Sequence, residues 1–310
     1  MNWPFWSRER ARAKGVPALE RHRIFERFAS FDGWAEPGFE RGHYGINVRD
    51  WLFTGESKGY RERRAVHADH PPVDEEYFEW ITLLATVAGA SERFCIAEIG
   101  AGWGRWMLAA AALCRQRGLP FRLIGVEAEP SHFEWIKMAL RDNDIDPAQH
   151  DLWHGAVAED DREAVLLTGP DPPEKVWGHR TIRSDELASW VGLPDYRVRV
   201  VPGFSLATIL AGTEHVNLID VDVQGVEHEI LEPAFETLNA KVDVVHVGTH
   251  SAEAEQSLRN AFRRNGWQNA FSYPCHSNVK TPFGPVHFTD GVETWVHPTR
   301  GDLLSALTGA

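Results

Sequence analysis

From about residue 93 onward, apolar runs of strand length alternate with segments of helical period. The runs Arg93 to Ile99, Phe121 to Glu127, His150 to Val157, His215 to Asp222 and Val242 to Val247 read as strands buried on both faces. Between them, apolar residues recur at helical spacing up to Arg117, over Pro130 to Arg141, Val226 to Leu238 and Ala252 to Asn265, with Pro130 placed at a first helical turn. Trp267 to Tyr273 and Val286 to Trp295 close the sheet. Ala164 to Thr168 suggests a hairpin, Arg197 to Val201 a short strand and Phe204 to Ala211 a short helix. Pro71-Pro72 breaks the chain, and Asp74 is expected to cap a helix carrying Tyr77, Phe78, Trp80, Ile81, Leu83 and Leu84. Strands alternating with helices predict an α/β fold around a mainly parallel sheet, with helices on both faces. Residues 1–71 are polar, Arg-rich and aromatic with weak periodicity, so they read as loop and short helix (Leu19 to Phe31 as one helix). They form an accessory cap or oligomer arm ahead of a main domain at 72–310.

The first strand ends in an acid, Glu98, and three alternate glycines, Gly100, Gly102 and Gly104, before a helix begins at Trp106. A strand that turns this sharply into a helix brings backbone N–H groups up to a ligand. The dinucleotide fingerprint G-x-G-x-x-G does not fit, because Arg105 stands where its third glycine falls, and no G-x-x-x-x-G-K-[ST] loop is present. The second strand ends in Glu127, an acid placed to accept hydrogen bonds from two ribose hydroxyls. In an open α/β sheet ligands bind at the carboxyl ends of the strands. The remaining ends are His154-Gly-Ala-Val157, where an adenine would meet backbone and small side chains, then Asp220 and Asp222 with Gln224-Gly225, and Gly248-Thr249-His250-Ser251.

Composition narrows the partners. The 310 residues carry a net charge of −13, which argues against nucleic acid and anionic membrane. The 3 cysteines, Cys95, Cys114 and Cys275, lack disulfide or zinc spacing, so a reduced, cytoplasmic setting is expected. The N-terminus has no apolar core of a secretory signal, and no apolar run approaches the ~18 residues of a membrane span. Thirteen tryptophans mildly favour a ligand site with aromatic walls.

The E-x-G-x-G-x-G turn resembles the first motif of class I S-adenosylmethionine methyltransferases, a Rossmann-like fold. Leu218-Ile-Asp-Val-Asp-Val-Gln-Gly-Val-Glu-His-Glu-Ile-Leu231 resembles the D-[VI]-[EQ]-G-A-E-x-x-[VIL]-L segment of FkbM-type members, with Asp222, Gln224, Gly225 and Glu227 at the matching positions. Glu127-Ala-Glu-Pro130 followed by Asn143, His246-Val-Gly-Thr-His-Ser251, Thr281-Pro-Phe-Gly284 and Phe288-Thr-Asp-Gly-Val-Glu-Thr-Trp295 resemble further segments of that family. The likeness runs over roughly 72–297. One departure is Asp220, where many members carry Lys; it sets two carboxylates at i and i+2 on one strand face.

The resemblance implies methyl transfer from S-adenosylmethionine to a hydroxyl of a sugar, a glycan or another polyhydroxylated metabolite. It implies a cofactor cleft formed by Glu98, Gly100, Ala101, Gly102, Gly104, Arg105, Trp106, Glu127, Ala128, Ala156, Asp222 and Gln224, with Glu98 facing the amino end of the methionine. A hydroxyl is a poor nucleophile at neutral pH, so a base or a metal is expected. His250 is the first choice of base and Asp222 the second. A divalent metal (Mg²⁺ or Mn²⁺) on Asp222, Glu227 and His250 is the alternative. His67 and His70 read as a structured loop rather than a metal site, and His276 and Asp290 as solvated loop residues near the acceptor. The competing readings are a nicotinamide-dependent oxidoreductase and a non-catalytic nucleoside-binding module of glycan assembly; a homo-oligomer stays open.

Overall fold

The computed structural model describes residues 21–52, 55–168, 179–182 and 197–309. Its centre is a seven-stranded sheet. Helix α1 (Tyr77–Gly89) leads into β1 (Phe94–Ile99), α2 (Arg105–Arg117), β2 (Phe121–Glu127), α3 (Pro130–Asp142) and β3 (Asp151–His154). Then follow β4 (Val216–Val221), β5 (Val242–Thr249), α4 (Ala252–Arg264), β6 (Gln268–Tyr273) and β7 (Gly291–Val296). Across the sheet the order is β6-β7-β5-β4-β1-β2-β3. The β4–β5, β4–β1, β1–β2 and β2–β3 pairs are parallel, and β7 runs antiparallel between β5 and β6. This is the doubly wound α/β sheet expected from the alternation. The strand order reverses between β1 and β4, and that switch point is where an open sheet leaves a crevice.

Alternation within each strand divides the core in two. Phe94 and Ile96 of β1 join the cluster that holds α1 and α2, whereas Cys95, Ala97 and Ile99 join the cluster that holds Leu258 and Phe262 of α4. Both faces are therefore buried, which accounts for strands that read as unbroken apolar runs.

Several expectations need correction. The helix after Pro72 starts at Tyr77, with Glu76 rather than Asp74 at its N-cap position. The third strand is shorter than predicted. It stops at His154, and Ala156–Val157 is a separate strand that pairs with Gly203–Phe204. Helix 204–211 contracts to Leu206–Ile209. The helix expected over Val226 to Leu238 is broken into Glu227–Leu231, a 3₁₀ turn Glu232–Ala234 and Phe235–Lys241, because Pro233 supplies no backbone N–H to a continuous ladder. Val286 to Trp295 is two strands. Gly284–Phe288 forms a hairpin with Ser277–Thr281, and only Gly291–Val296 enters the main sheet. Ala164–Thr168 lies between Arg180–Ile182 and Arg197–Val201.

The described part of 1–71 is mostly short strands. Asp32–Ala35 pairs with Arg64–His67 and Phe39–Arg41 with Asn47–Arg49, following a 3₁₀ turn at Arg23–Arg27. Strands of three and four residues are too short to show a period. They share the α1 core: the Phe25 ring stacks on Tyr77 at 5.1 Å, and Tyr44 lies against Trp80 at 5.4 Å. Asn143 at the end of α3 closes the layer. Its amide accepts from Asn47 N at 2.7 Å and donates to Asn47 O at 2.8 Å. The start of the helix expected at Leu19 lies outside the described residues.

Candidate active site

The glycine turn is built by its surroundings. Gly100 and Ala101 both donate to Val126 O, at 3.0 and 2.9 Å, tying the turn to β2. Gly100 has φ +80°, and a Cβ there would sit 1.8 Å from the carbonyl oxygen of Asp222. The Asp222 N–H donates to Ile99 O at 2.9 Å. The end of β4 thus lies directly against the end of β1, and only glycine fits between them.

Glu98 does not face the crevice. Its Oε1 accepts from Trp106 N at 3.1 Å and its Oε2 from Met107 N at 2.8 Å, so it caps α2 from inside the fold. Burial pushes its carboxyl up to about 8, against the pull of those two amides. Both of its oxygens, expected from the sequence to face a cofactor amine, are engaged by these amides. Arg105 and Trp106 also turn away. Arg105 Nη1 donates to Glu76 Oε1 at 2.6 Å, and its guanidinium lies 4.7 Å over the Trp106 ring.

At the switch point a cleft opens. Of the residues singled out from the sequence, Gly100, Gly102, Glu127, Ala128, Ala156, Asp222 and Gln224 line it; Glu98, Ala101, Gly104, Arg105 and Trp106 are not in its wall. Glu127 is the polar anchor. Its Oε2 accepts from Gly102 N and its Oε1 from Glu129 N, each at 2.7 Å. Each oxygen retains a second acceptor site for a ligand hydroxyl. Burial raises this carboxyl to about 7, opposed by the two amides. Val157, from the strand end expected to meet the adenine, lines it too, whereas sequence reasoning missed His132, Leu166, His179 and Thr181. His179 is held neutral, its pKa lowered to about 4 by burial, and its Nε2 has no hydrogen-bond partner. Its sequence neighbourhood carries no motif; the His132 ring, 5.3 Å away, is its partner.

Asp222 stands at the mouth, its side chain 49% exposed, which tempers the upward push of burial on its pKa. Gln224 beside it adopts φ +58° and donates from Nε2 to Asp222 Oδ1 at 3.1 Å. A left-handed non-glycine residue at a ligand cleft is the kind of local strain that binding sites hold. Beyond Asp222 lies His250. Its Nδ1 is 2.6 Å from Glu227 Oε1, and Glu227 is fully buried. Its Nε2 lies 3.4 Å from Asp222 Oδ1 and 3.6 Å from Asp290 Oδ1 without a hydrogen bond to either. Burial opposes charge on this ring, but the Glu227 hydrogen bond and the charges of Asp222, Glu227 and Asp290 outweigh it and raise its pKa to about 9. The imidazole is therefore protonated at neutral pH.

The expected metal set does not converge. Glu227 and Asp222 meet opposite nitrogens of the His250 ring, so no single ion reaches all three through that imidazole. Asp220 and Asp222 also part company: Asp220 is buried against Glu79 and His246. His67 ends the strand Arg64–His67 rather than lying in a loop and pairs with Asp32 at 2.8 Å on the surface, whereas His70, in the loop that follows, packs on the Phe25 ring. Among the described residues no helix is long and apolar enough to cross a membrane.

Comparison with models of known protein families returns no match. A protein of Jannaschia sp. (strain CCS1) named "Putative methyltransferase" is 26% identical over 289 residues, spanning 88% of this chain and 97% of its own. Among solved structures, the methyltransferase FkbM from Methylobacillus flagellatus KT aligns at 14% identity over 72% of this chain and 50% of its own, with a TM-score of 0.41. An O-methyltransferase from Bacillus cereus in complex with SAH aligns at 14% identity over 74% and 84%, with a TM-score of 0.37.

Proposed function

We propose that this chain is an S-adenosylmethionine-dependent O-methyltransferase acting on a sugar, a glycan or another polyhydroxylated small molecule. The observation that carries the reading is the continuity of the cleft. Glu127, braced by the glycine turn, lies in its wall, and Asp222 at its mouth touches His250. The residues present suit a nucleoside with an amino-acid tail. Glu127 accepts from the two ribose hydroxyls. Ala156, Val157 and Leu166 offer an apolar slot for the adenine, and His179 Nε2 offers it one polar contact. Gly100, Asp222 and Gln224 receive the tail, where the half-exposed Asp222 carboxylate suits an ammonium group. The relative's name, in words, agrees with this chemistry.

Bound there, S-adenosylmethionine supplies an electrophilic methyl group on a sulfonium centre. The protein's own contribution is placement of the acceptor and management of one proton. In its neutral form, whose share grows as pH rises toward about 9, His250 takes the proton of the acceptor hydroxyl on Nε2 as that oxygen gains the methyl group. Glu227 keeps Nδ1–H fixed, so that Nε2 points toward Asp222 and Asp290, and the charged ring is held by all three carboxylates. Asp222 and Asp290 accept hydrogen bonds from neighbouring hydroxyls, which favours a polyol over an apolar acceptor.

Calorimetric titration of the purified chain with S-adenosylhomocysteine tests the cofactor assignment. Saturable binding, lost in Gly102→Val, is expected; no heat and no melting shift would overturn it, and a fluorescence response to NADH instead would favour the oxidoreductase. Transfer of labelled methyl to a hydroxylated acceptor pool separates the enzyme from a non-catalytic nucleoside-binding module.

A further inference from the structure

Register places four polar side chains in one line across the sheet. Asp220 of β4 pairs with Glu98 of β1 on one side and with His246 of β5 on the other, and His246 pairs with Thr294 of β7. All four point to the face that α1 covers, since Ile96, Leu218, Val244, Val292 and Val296, two residues away on the same strands, belong to that cluster. Glu98 and Thr294 have structural tasks. Glu98 caps α2, and Thr294 Oγ1 lies 2.8 Å from His246 Nδ1. Between them lie Asp220 and His246. Asp220 is 5% and His246 1% exposed, and Glu79 reaches them from α1. His246 Nε2 lacks any hydrogen-bond partner, and it points at Glu79 Oε1 from 3.9 Å.

We propose that Glu79, Asp220 and His246 form a binding site for one divalent transition-metal ion, of the Zn²⁺ or Mn²⁺ class, beneath α1 and separate from the Asp222–His250 mouth. One ligand atom from each residue lies within 4.8 Å of the other two. Metal–ligand bonds of about 2.0–2.2 Å bring such atoms to roughly 3–4 Å of one another. Glu79, whose side chain is 20% exposed, can close that gap by rotation and marks the route of entry. One imidazole with two carboxylates suits Zn²⁺ or Mn²⁺ better than the all-oxygen surroundings that Mg²⁺ and Ca²⁺ prefer.

One further feature fits. A ligating imidazole commonly has its other nitrogen held by a partner that orients the ring, and Thr294 holds Nδ1 here. A dipositive ion between two carboxylates also offsets the repulsion they otherwise feel. The positive charge of Arg105, which acts on both carboxylates, is itself hydrogen-bonded to Glu76.

The test uses the full chain, stripped with EDTA, reloaded with Zn²⁺ or Mn²⁺ and desalted, with metal counted by mass spectrometry and Tm recorded with and without the ion. We expect one retained equivalent and a raised Tm. Glu79→Gln and Asp220→Asn should weaken binding by about tenfold or more and abolish the Tm rise. Both replace a buried acid by a neutral isostere, so they should fold, as circular dichroism would show. Asp222→Asn, outside the cluster, should retain the ion. Failure of the wild-type chain to hold an ion, or equal loss from Asp222→Asn, would overturn the assignment.

Discussion

Glu127→Gln separates the ligand role of this carboxylate from its place in the fold. In the wild-type chain two backbone amides, Gly102 N and Glu129 N, each donate to one carboxylate oxygen at 2.7 Å. A glutamine has one acceptor oxygen and one NH₂ group, so it faces one of those amides donor to donor. On the cleft side it likewise offers a ribose diol one acceptor instead of two. Losing a hydrogen bond to a charged group costs about 1.5–3 kcal/mol, or roughly a 10- to 150-fold loss of affinity for S-adenosylhomocysteine. Stability of the free protein should not fall in step. Raising this carboxyl from 4.5 to about 7 disfavours its ionisation by about 3 kcal/mol. The protonated form's contribution to stability is complete below pH 4.5 and is lost as pH rises through about 7. At pH 8 the neutral glutamine escapes that penalty, which offsets much of the lost amide bond. Calorimetric titration at pH 8, paired with urea unfolding of the free chains, reads both effects. Affinity in wild type should also climb as pH rises through about 7, while the glutamine variant stays flat. Unchanged affinity in Glu127→Gln, or the same pH dependence in both chains, would refute the reasoning.

Three other outcomes follow from the same geometry. Gly100→Ala should abolish S-adenosylhomocysteine binding in calorimetry and lower Tm by several degrees, since its Cβ would meet Asp222 O at 1.8 Å and φ +80° costs an alanine about 1–2 kcal/mol; wild-type binding would contradict it. Methyl-transfer rate at saturating cofactor should rise with pH toward about 9 as His250 loses its proton, and His250→Ala should lower the rate by about 10²–10⁴-fold while leaving cofactor affinity nearly unchanged. A rate independent of pH between 6 and 9 would remove His250 as the base. Asp222→Asn removes one of three carboxylates that hold the imidazolium, so NMR titration should show the His250 pKa moving down; no movement would mean that the 3.4 Å contact carries no charge coupling.

Much of this was legible in the order of residues, and the failures have physical causes. The strand Phe121–Glu127 emerges with the bounds its apolar run suggested, because a central parallel strand is apolar on both faces. Arg197–Val201 does as well. The break at Pro233 is legible in the ring's missing N–H, although the apolar spacing around it has the period of one continuous helix. The short pairs within 21–71 could not be seen, since three or four residues hold no period. At the site, Gly100, Glu127, Asp222 and His250 follow strand ends that local sequence announces. His132 and His179 reach the cleft through tertiary packing, which no spacing along the chain encodes. Glu98 carried the right residue type for a ligand contact, yet the unpaired amides at the start of α2 were closer.

The fit of the Asp222 peptide against Gly100 also has a mechanical meaning. A methyl-transfer enzyme must fix the gap between donor and acceptor to a fraction of an ångström. Here the main chain alone fixes how the ends of β1 and β4 meet, by a carbonyl filling the space of an absent Cβ and an N–H clasping Ile99 O. On the proposed function, side chains around the mouth can therefore change while the seating of these two strand ends stays as it is.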